Sequence, residues 1–470
     1  MQSKLLNFKY NDKYSIIASI SLFLLFLASL IKNDALFLSL LIILPLACFS
    51  ALQPKLYIYF VVIATPFTYI ITVFLYNTQL FLNNFKLIAA IKLLCFIIVP
   101  VTVLLINNFK KYKFDIFDYT ILVYLFFCTV YYFVGDDVEG TKMANYMQMV
   151  PFAIYLILGK LVYLAKIKIE TLEIIYLRLC IIVIIVGIAM YFVFDKLNTY
   201  YLSPKAYSIE SVGMNESQFI GEIAASSYSF ILRDTLGYIK RFFSIFYSGI
   251  GMAYFSSIGF IIAFYRKKRT YMIVILATII ATITRGVWIL LIISPIFVWY
   301  LISKRKMAKI VAASILLLSL LASLLVFKSI LIGYFMEGKT SAFDFTGVDQ
   351  SSAAHLVSIL VLYDIIINKI FGYGMGFSSG ESFLVDVFAR IGIFGFMVFV
   401  FLFFIQFKKI KAFCLSNNRI ESQIALCLLV FNLLGSLFSR ENYTIIDSYM
   451  SWIYIGYVYN KYTYGIRTLS

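Results

Sequence analysis

Long apolar runs recur along almost the whole chain and restrict the folds open to it. The runs at 286–302 and 310–327 contain no charged residue, and each is close to the length of about 20 residues that a helix needs to cross a bilayer. Hydrophobic residues make up 62% of the 470 residues and charged residues 13%, whereas soluble domains are about 45–50% apolar and about 25% charged. We therefore predict an all-α, polytopic integral membrane protein in which residues 1–470 form a single transmembrane domain.

The sequence contains about fourteen candidate spans of this kind. They lie near 14–31, 35–52, 56–76, 87–106, 117–134, 148–165, 173–194, 245–264, 271–284, 286–302, 310–327, 383–407, 421–438 and 445–460.

Basic residues cluster between these spans and predict the orientation of the chain. If every span crosses the membrane, the acidic connector at 135–139 lies on one side, and the other side receives the basic clusters at 110–113, 166–168, 266–269, 304–309 and 408–411. Cytoplasmic loops are enriched in Lys and Arg, so we expect these clusters and both termini in the cytoplasm. The net charge of +17 comes from such short clusters and not from a polar basic domain. We therefore expect the lipid bilayer as a partner, and no nucleic acid.

Two connections on the outer side are longer than simple turns, one at about 195–243 and one at about 328–382. Connections in compact domains usually have about 4–6 residues, and longer ones are often functional. The second connection contains HLVSILVLYDIIINKIFGYG, an apolar stretch interrupted by Asp364, Asn368 and Lys369. This pattern predicts an amphipathic helix that lies at the membrane interface.

Neither the cysteines nor the single histidine indicate a metal site. The six cysteines are scattered, mostly within apolar runs, with no CxxC pair and no nearby histidine. We expect them to be buried and unreactive. No internal repeat of the solenoid type or of the inverted type found in many transporters is evident.

Three segments around the two long loops resemble the O-antigen polymerase and ligase superfamily. They are KRFFSIFYSGIG at 240–251, TITRGVWILLIISPIFVWYL at 282–301 and IFGYGMGFSSGESFLVDVFARIGIFG at 370–395. The second segment has an Arg-Gly pair at an outer helix junction, and in the third Gly372, Gly374 and Gly376 resemble the glycine turn of the family. The ligases of this family carry a His, a polar residue, nine further residues and then Gly-x-x-Gly. The segment from Glu381 to Gly395 has the same spacing, but Glu381 stands in place of the His. The chain therefore resembles a Wzy-type O-antigen polymerase.

The resemblance implies a membrane glycosyltransferase of the bacterial inner membrane with its active site on the periplasmic face. Such an enzyme polymerises undecaprenyl-diphosphate-linked repeat units, as donor and acceptor, into O-antigen or capsular polysaccharide. The site must take a proton from the acceptor hydroxyl and stabilise the departing diphosphate. Arginines bind phosphate oxygens bidentately, so no metal and no other cofactor is expected. A regulator of chain length is a candidate partner.

Two other functions remain open at this point. An O-antigen ligase shares this architecture but transfers the glycan to lipid A–core, and the replacement of His by Glu381 disfavours it. A non-enzymatic flippase or transporter of lipid-linked glycans would be expected to carry pseudo-repeats and a charged central cavity, and the uneven distribution of the long outer loops argues against it.

The candidate catalytic residues are Glu381, Arg285 and Arg241, and each has a structural alternative. Glu381 either accepts the proton of the acceptor or caps the helix that follows it. Arg285 either binds phosphate or a developing oxyanion, or anchors a helix end at the interface. Arg241 and its neighbour Lys240 either bind the lipid diphosphate or anchor the entry to the next span.

The remaining candidates are assigned to substrate binding or to support of the site. Asp386 and Arg390 are four residues apart on one helix face and predict an intramembrane ion pair that faces the bundle interior. His355 lies near the position of a loop arginine in the family, and contacts substrate or is an ordinary structural residue. Lys92 lies within a span and needs a partner, either a lipid diphosphate or a protein carboxylate.

Overall fold

The computed structural model of the protein is helical throughout most of the part that it describes. That part consists of residues 53–68, 98–134, 139–192, 228–229, 239–240, 242, 244–246, 249–303, 305–307, 309–315, 317, 332, 350–377, 382–417, 419–437, 439, 443 and 447–467.

Most of the helices follow the apolar runs of the sequence, and the polar helix at Glu139–Met149 is an exception. In chain order they are α1 (Pro54–Ala64), α2 (Val99–Asn108), α3 (Ile116–Val134), α4 (Glu139–Met149), α5 (Pro151–Leu164), α6 (Ile169–Phe192), α7 (Gly249–Tyr265), α8 (Arg269–Ala281), α9 (Arg285–Ile302), α10 (Gln350–Asn368), α11 (Phe383–Asn417), α12 (Ile420–Gly435) and α13 (Tyr449–Arg467). A short 3-10 helix, Thr65–Phe67, extends α1.

Five stretches of the described helices are long and apolar enough to cross a membrane: Ile116–Val134, Asn145–Leu164, Ile169–Ala189, Arg285–Ile302 and Phe383–Ser416. Shorter apolar helices lie at Pro54–Phe67, Gly249–Tyr265, Arg269–Ala281 and Ile420–Gly435. These features are those of a helical membrane protein. The count of fourteen spans stays a prediction, since several candidate spans, including 14–31 and 35–52, lie outside the described residues.

One short strand pair departs from the purely helical prediction. Residues Tyr228–Ser229 (β1) and Ile239–Lys240 (β2) pair antiparallel, with Tyr228 opposite Lys240. Both strands lie in the predicted first long loop, 195–243. In the second predicted loop, 328–382, α10 occupies the place of the expected amphipathic helix; its position at a membrane interface stays a prediction.

The core is organised around the close packing of α5 against α13. A methyl group on Gly159 would lie 2.8 Å from the backbone nitrogen of Tyr457, and Gly456 touches the backbone of Leu156 from the other side. Small residues let membrane helices approach closely and gain van der Waals contacts. The fully buried Trp452 of α13 packs against the ring of Phe152 of α5, with centroids 5.3 Å apart.

One end of the bundle, the basic end, holds two buried ionic clusters. In the first, Lys160 Nζ lies 2.6 Å from Asp118 Oδ2 and 3.3 Å from Asp115 Oδ1, and Lys409 Nζ lies 3.7 Å from Asp115 Oδ2. These contacts join the start of α3, the last turns of α5 and the C-terminal half of α11. The Lys160 side chain is only 1% exposed, so the pairing compensates for its desolvation.

The second cluster of the basic end joins α6 to the segment after α7. Arg266 Nε and Nη2 donate to the two carboxylate oxygens of Glu173 at 2.7 Å and 2.8 Å, and Tyr454 Oη donates to Glu173 Oε1 at 2.7 Å. Burial alone would lower the pKa of Arg266, but the bonds and charge of Glu173 raise it above its usual value. Tyr459, on the same helix as Tyr454, has its Oη 3.3 Å from Asp115 Oδ2, so the two clusters lie at one end of the bundle. The predicted topology of the spans stays a prediction. Which side of the membrane that end faces stays a prediction.

Candidate functional site

A break in α11 marks the opposite end of the bundle. The sequence predicts a span at 383–407, which lies within α11, and within this helix Gly392 has φ 64° and ψ −174°, so the helix is interrupted there. A positive φ is strained for residues with a side chain and is readily adopted by glycine. The predicted span is therefore present in α11, and it contains a break at Gly392 that the sequence analysis did not anticipate.

The turn at 370–374 supplies hydrogen bonds to the broken part of α11. Tyr373 N donates to Ala389 O at 2.6 Å, Gly374 N donates to Arg390 O at 3.2 Å, and Ile393 N donates to Ile370 O at 2.9 Å. Irregular backbone at membrane depth is tolerated only where protein or water satisfies its polar groups. The two halves of the motif at 370–395 are thus hydrogen-bonded to one another.

Two of the three predicted turn glycines have the backbone geometry that the motif requires. Gly372 has φ 89° and Gly374 has φ 98°, whereas Gly376 is not among the described residues with positive φ. The glycine turn is therefore present and is packed against α11. A direct contact of these glycines with substrate stays a prediction.

The predicted pair of Asp386 and Arg390 lies directly behind this turn. Arg390 Nη2 donates to Asp386 Oδ2 at 2.8 Å, and both side chains have no solvent exposure. Arg390 Nε also donates to Phe377 O at 2.8 Å, just after the glycine turn. The pair faces the bundle interior, and Arg390 ties α11 to the backbone that leads towards Glu381. Its role in supporting a reaction stays a prediction.

Polar residues of α3 and α4 hold the turn from its other side, and the sequence analysis missed them. Asn145 Nδ2 donates to Met375 O at 2.6 Å, and Tyr131 Oη donates to Phe371 O at 2.5 Å. Gln148 Oε1 lies 3.5 Å from Arg390 Nη1. A possible signal was the spacing of Asn145 and Gln148, three residues apart just before an apolar run and therefore on one helix face.

Arg285 is exposed at the first residue of α9, in a tight turn after α8. Within that turn Ile283 has φ 53°, an uncommon conformation for a β-branched residue. Trp288 Nε1 donates to Ile279 O at 3.1 Å and fastens the two helices to one another. Arg285 is therefore an exposed residue held in a fixed turn.

The same turn contacts the end of the first long loop. Phe242 N donates to Ala281 O at 3.1 Å, and Thr284 Oγ1 lies 3.5 Å from Gly249 O. Two of the motif segments, 240–251 and 282–301, thus meet at this end of the bundle. Arg241 is one residue before Phe242, but it lies outside the described residues.

Asp447 is a second residue that the sequence analysis did not single out. It is 4% exposed, and its carboxylate lies against Gly251 in the first turn of α7, where a methyl group on the glycine would approach Oδ1 to 2.9 Å. A carboxylate near a helix N-terminus is favoured by the free amides and by the helix dipole. Asp447 therefore links the starts of α7 and α13.

The remaining predicted site residues are Glu381, Lys92, Lys240 and His355. Glu381 and Lys92 lie outside the described residues. The backbone of Lys240 belongs to β2 and that of His355 to α10. The residue after Glu381, Ser382, is buried, and its Oγ donates to Ser436 O at 3.3 Å. The start of α11 is thereby anchored to the end of α12.

Among the residues described, no group of three or more His, Cys, Asp or Glu side chains is arranged to hold a metal ion. The described cysteines Cys128, Cys180, Cys414 and Cys427 are buried free thiols. No model of a known protein family matches the chain, and no curated protein matches it.

Proposed function

We propose that the protein is a membrane glycosyltransferase that polymerises undecaprenyl-diphosphate-linked repeat units into O-antigen or capsular polysaccharide at the periplasmic face of the bacterial inner membrane. The observation that carries the proposal is the docking of the glycine turn on the break of α11. Through the hydrogen bonds between 370–374 and 389–393, both halves of the motif that resembles the polymerases belong to one local unit. The segment that contains Glu381 connects the turn to α11.

The chemistry of the proposed reaction fits the types of residue at this end. Glycosyl transfer to a hydroxyl requires removal of its proton, and Glu381 is the proposed base. The departing diphosphate needs positive charge, which Arg285 and Arg241 would supply through bidentate contacts, with Lys240, Lys92 and His355 as further substrate contacts. The exposure of Arg285 supports this role, because a phosphate-binding group must be reachable by the lipid headgroup.

Asp386 and Arg390 are proposed to support the site without contacting the reacting atoms. Arg390 is buried and bonded to Asp386 and to Phe377 O, so it holds the backbone on one side of Glu381. Ser382, bonded to Ser436 O, holds the other side. A base positioned in this way loses less freedom when it binds the acceptor.

Incubation of the purified protein in liposomes with one defined undecaprenyl-diphosphate-linked repeat unit, and no other enzyme, tests the proposal. A ladder of carrier-linked polymer is expected. Transfer only to added lipid A–core would instead identify a ligase, and unchanged substrate with folded protein would contradict both enzymatic functions.

The Glu381→Gln variant tests the proposed base in the same assay. It keeps the shape of the side chain, so we expect normal folding and a loss of about 10²–10⁴-fold in turnover. A capping role predicts nearly normal turnover and a loss of about 1 kcal/mol in stability. Polymer formed per minute and the unfolding midpoint of the same preparation distinguish these two results.

A further inference from the structure

An apolar groove runs along the surface between α3 and the part of α11 that follows the break. Its volume is about 920 Å³, which is near the upper end of the range of about 300–1,000 Å³ for ligand pockets. The described lining residues are mainly aromatic and aliphatic, and the hydroxyl group of Thr120 bonds to Ile116 O within its own helix. The groove therefore offers contacts to hydrocarbon and few groups that would fix a polar ligand.

The shape of the groove suits a long chain that lies parallel to α11. Lining residues on this helix extend from Ile393 to Phe404, a distance of about 17 Å at the rise of an α-helix. This is more than half of the hydrocarbon thickness of about 30 Å. The side chains of Phe394 and Phe404 are 51% and 57% exposed, so their rings are open to such a chain.

One end of the groove coincides with the glycine turn. Ile393 lines the groove and donates its backbone N–H to Ile370 O, and the ring of Phe371 stacks on that of Phe394 with centroids 6.0 Å apart. Lys369 is exposed beside this end, with its Nζ 5.8 Å from the centroid of the Tyr373 ring. A chain in the groove that carries an anionic group would therefore meet a cation at the turn.

We propose that this groove holds the polyprenyl chain of the diphosphate carrier, with the diphosphate at the glycine turn near Lys369. The inference rests on the proposed function, because it names where the carrier of that reaction binds. The lining residues extend along one pair of helices, and this elongated form favours one long chain over the two acyl chains of a phospholipid. Because the groove ends at the glycine turn, a carrier bound along it would have its diphosphate headgroup at the proposed site.

Photo-crosslinking with an undecaprenyl diphosphate that carries a diazirine in its isoprenoid chain tests this proposal. The protein is reconstituted in nanodiscs, and labelled peptides are identified by mass spectrometry. We expect labels in 116–127 and 393–404 that unlabelled undecaprenyl phosphate suppresses and added phosphatidylglycerol does not. Equal suppression by both lipids would identify a general lipid groove, and labels confined to other helices would also overturn the proposal.

A matched pair of variants on α3 provides an internal control. Val123 lines the groove, whereas its neighbour Leu122 does not, and the two residues are 43% and 47% exposed. Val123→Trp should fill the groove and remove most of the specific labelling, and Leu122→Trp should leave it unchanged. Equal labelling of the two variants would contradict the proposed position of the chain.

The labelling result does not depend on polymerase activity. Specific labelling of the groove in a folded protein that forms no polymer would support the carrier site and contradict the proposed reaction. Polymer formation by a protein whose groove is not labelled would support the proposed reaction and show that the carrier does not bind in the groove.

Discussion

Gly372 and Gly392 lie face to face where the glycine turn meets the break in α11. A methyl group on Gly372 would lie 2.7 Å from the backbone nitrogen of Gly392, and both residues have positive φ. The contact depends on the absence of side chains on both partners. It holds together two segments that are separated along the chain by the region of Glu381.

Alanine at either position should destabilise the fold. Gly372→Ala and Gly392→Ala each introduce backbone strain of about 1–3 kcal/mol and a steric overlap that costs about 1–3 kcal/mol more. We expect a lower unfolding midpoint in detergent for both variants. Gly286→Ala is the control, because a methyl group there meets no atom within 4 Å. If Gly392→Ala has the same unfolding midpoint as the parent, the positive φ and close backbone contact of Gly392 are contradicted.

Removal of one member of the buried ion pair should lower the free energy of unfolding more than removal of both members. Arg390→Met leaves Asp386 buried without its cation, a change that costs about 3–5 kcal/mol in comparable cases. The double variant Arg390→Met, Asp386→Leu should recover a large part of this loss. Unfolding midpoints of the parent, both single variants and the double variant give the coupling between the residues. Purely additive effects would contradict a direct interaction.

Asp115, one of the two carboxylates in the first cluster of the basic end, should make stability depend on pH. Burial would raise the pKa of Asp115, but the charges of Lys160 and Lys409 and the hydrogen bonds with Asp118 lower it below the ordinary value of 3.8. A carboxylate with a lowered pKa in the folded state stabilises the fold above its ordinary pKa, and this contribution is lost as the pH falls below that value.

The variant Lys160→Met tests this cluster. It leaves the carboxylates without their nearest cation, so the loss of stability should be largest at neutral pH. The difference from the parent should narrow as falling pH protonates the carboxylates, beginning with Asp118, because burial raises the pKa of Asp118 above its ordinary value of 3.8. Unfolding midpoints measured from pH 3 to pH 7, with exposed Lys306→Met as the control, check this. A difference that is constant over the range would exclude the ionic explanation.

The sequence was informative about the apolar helices and less so about their contacts. The run at 117–134 predicted α3 almost to the residue, because hydrophobicity alone defines such a helix. The spacing of Asp386 and Arg390 likewise predicted their ion pair. The break at Gly392 and the role of Asp447 depend on segments distant in the chain, which no local pattern encodes. The spacing of Asn145 and Gln148 indicates a shared polar face but not the turn that this face contacts.

Lysine should not replace Arg285, even though it preserves the charge. A point charge lacks the planar pair of donors that grips phosphate, so Arg285→Lys should lower polymer formation while the unfolding midpoint stays the same. A loss in turnover would indicate a role in the transition state, and a loss in apparent affinity would indicate carrier binding. Exposed Arg305→Lys serves as the control. Full activity of both Arg285→Lys and Arg285→Ala would show that Arg285 only anchors the start of α9 at the interface.

Cysteine labelling tests the predicted orientation. Ser351 lies in the predicted outer loop, and Ser303 follows α9 at the end remote from Arg285. In a background without the native six cysteines, a membrane-impermeant thiol reagent should label Ser351→Cys and not Ser303→Cys in intact cells with a permeabilised outer membrane. The reverse pattern would mean that the basic end faces the periplasm.

The break in α11 also bears on how the chain enters the bilayer during synthesis. Without a partner, Ala389 O, Arg390 O and Ile393 N would reach hydrocarbon unpaired, and each such group costs several kcal/mol there. The residues that pair with them, 370–374, precede α11 in the chain and leave the ribosome first. We therefore expect the turn and the helix to insert into the membrane together, with the earlier segment completing the backbone pairing of the later one.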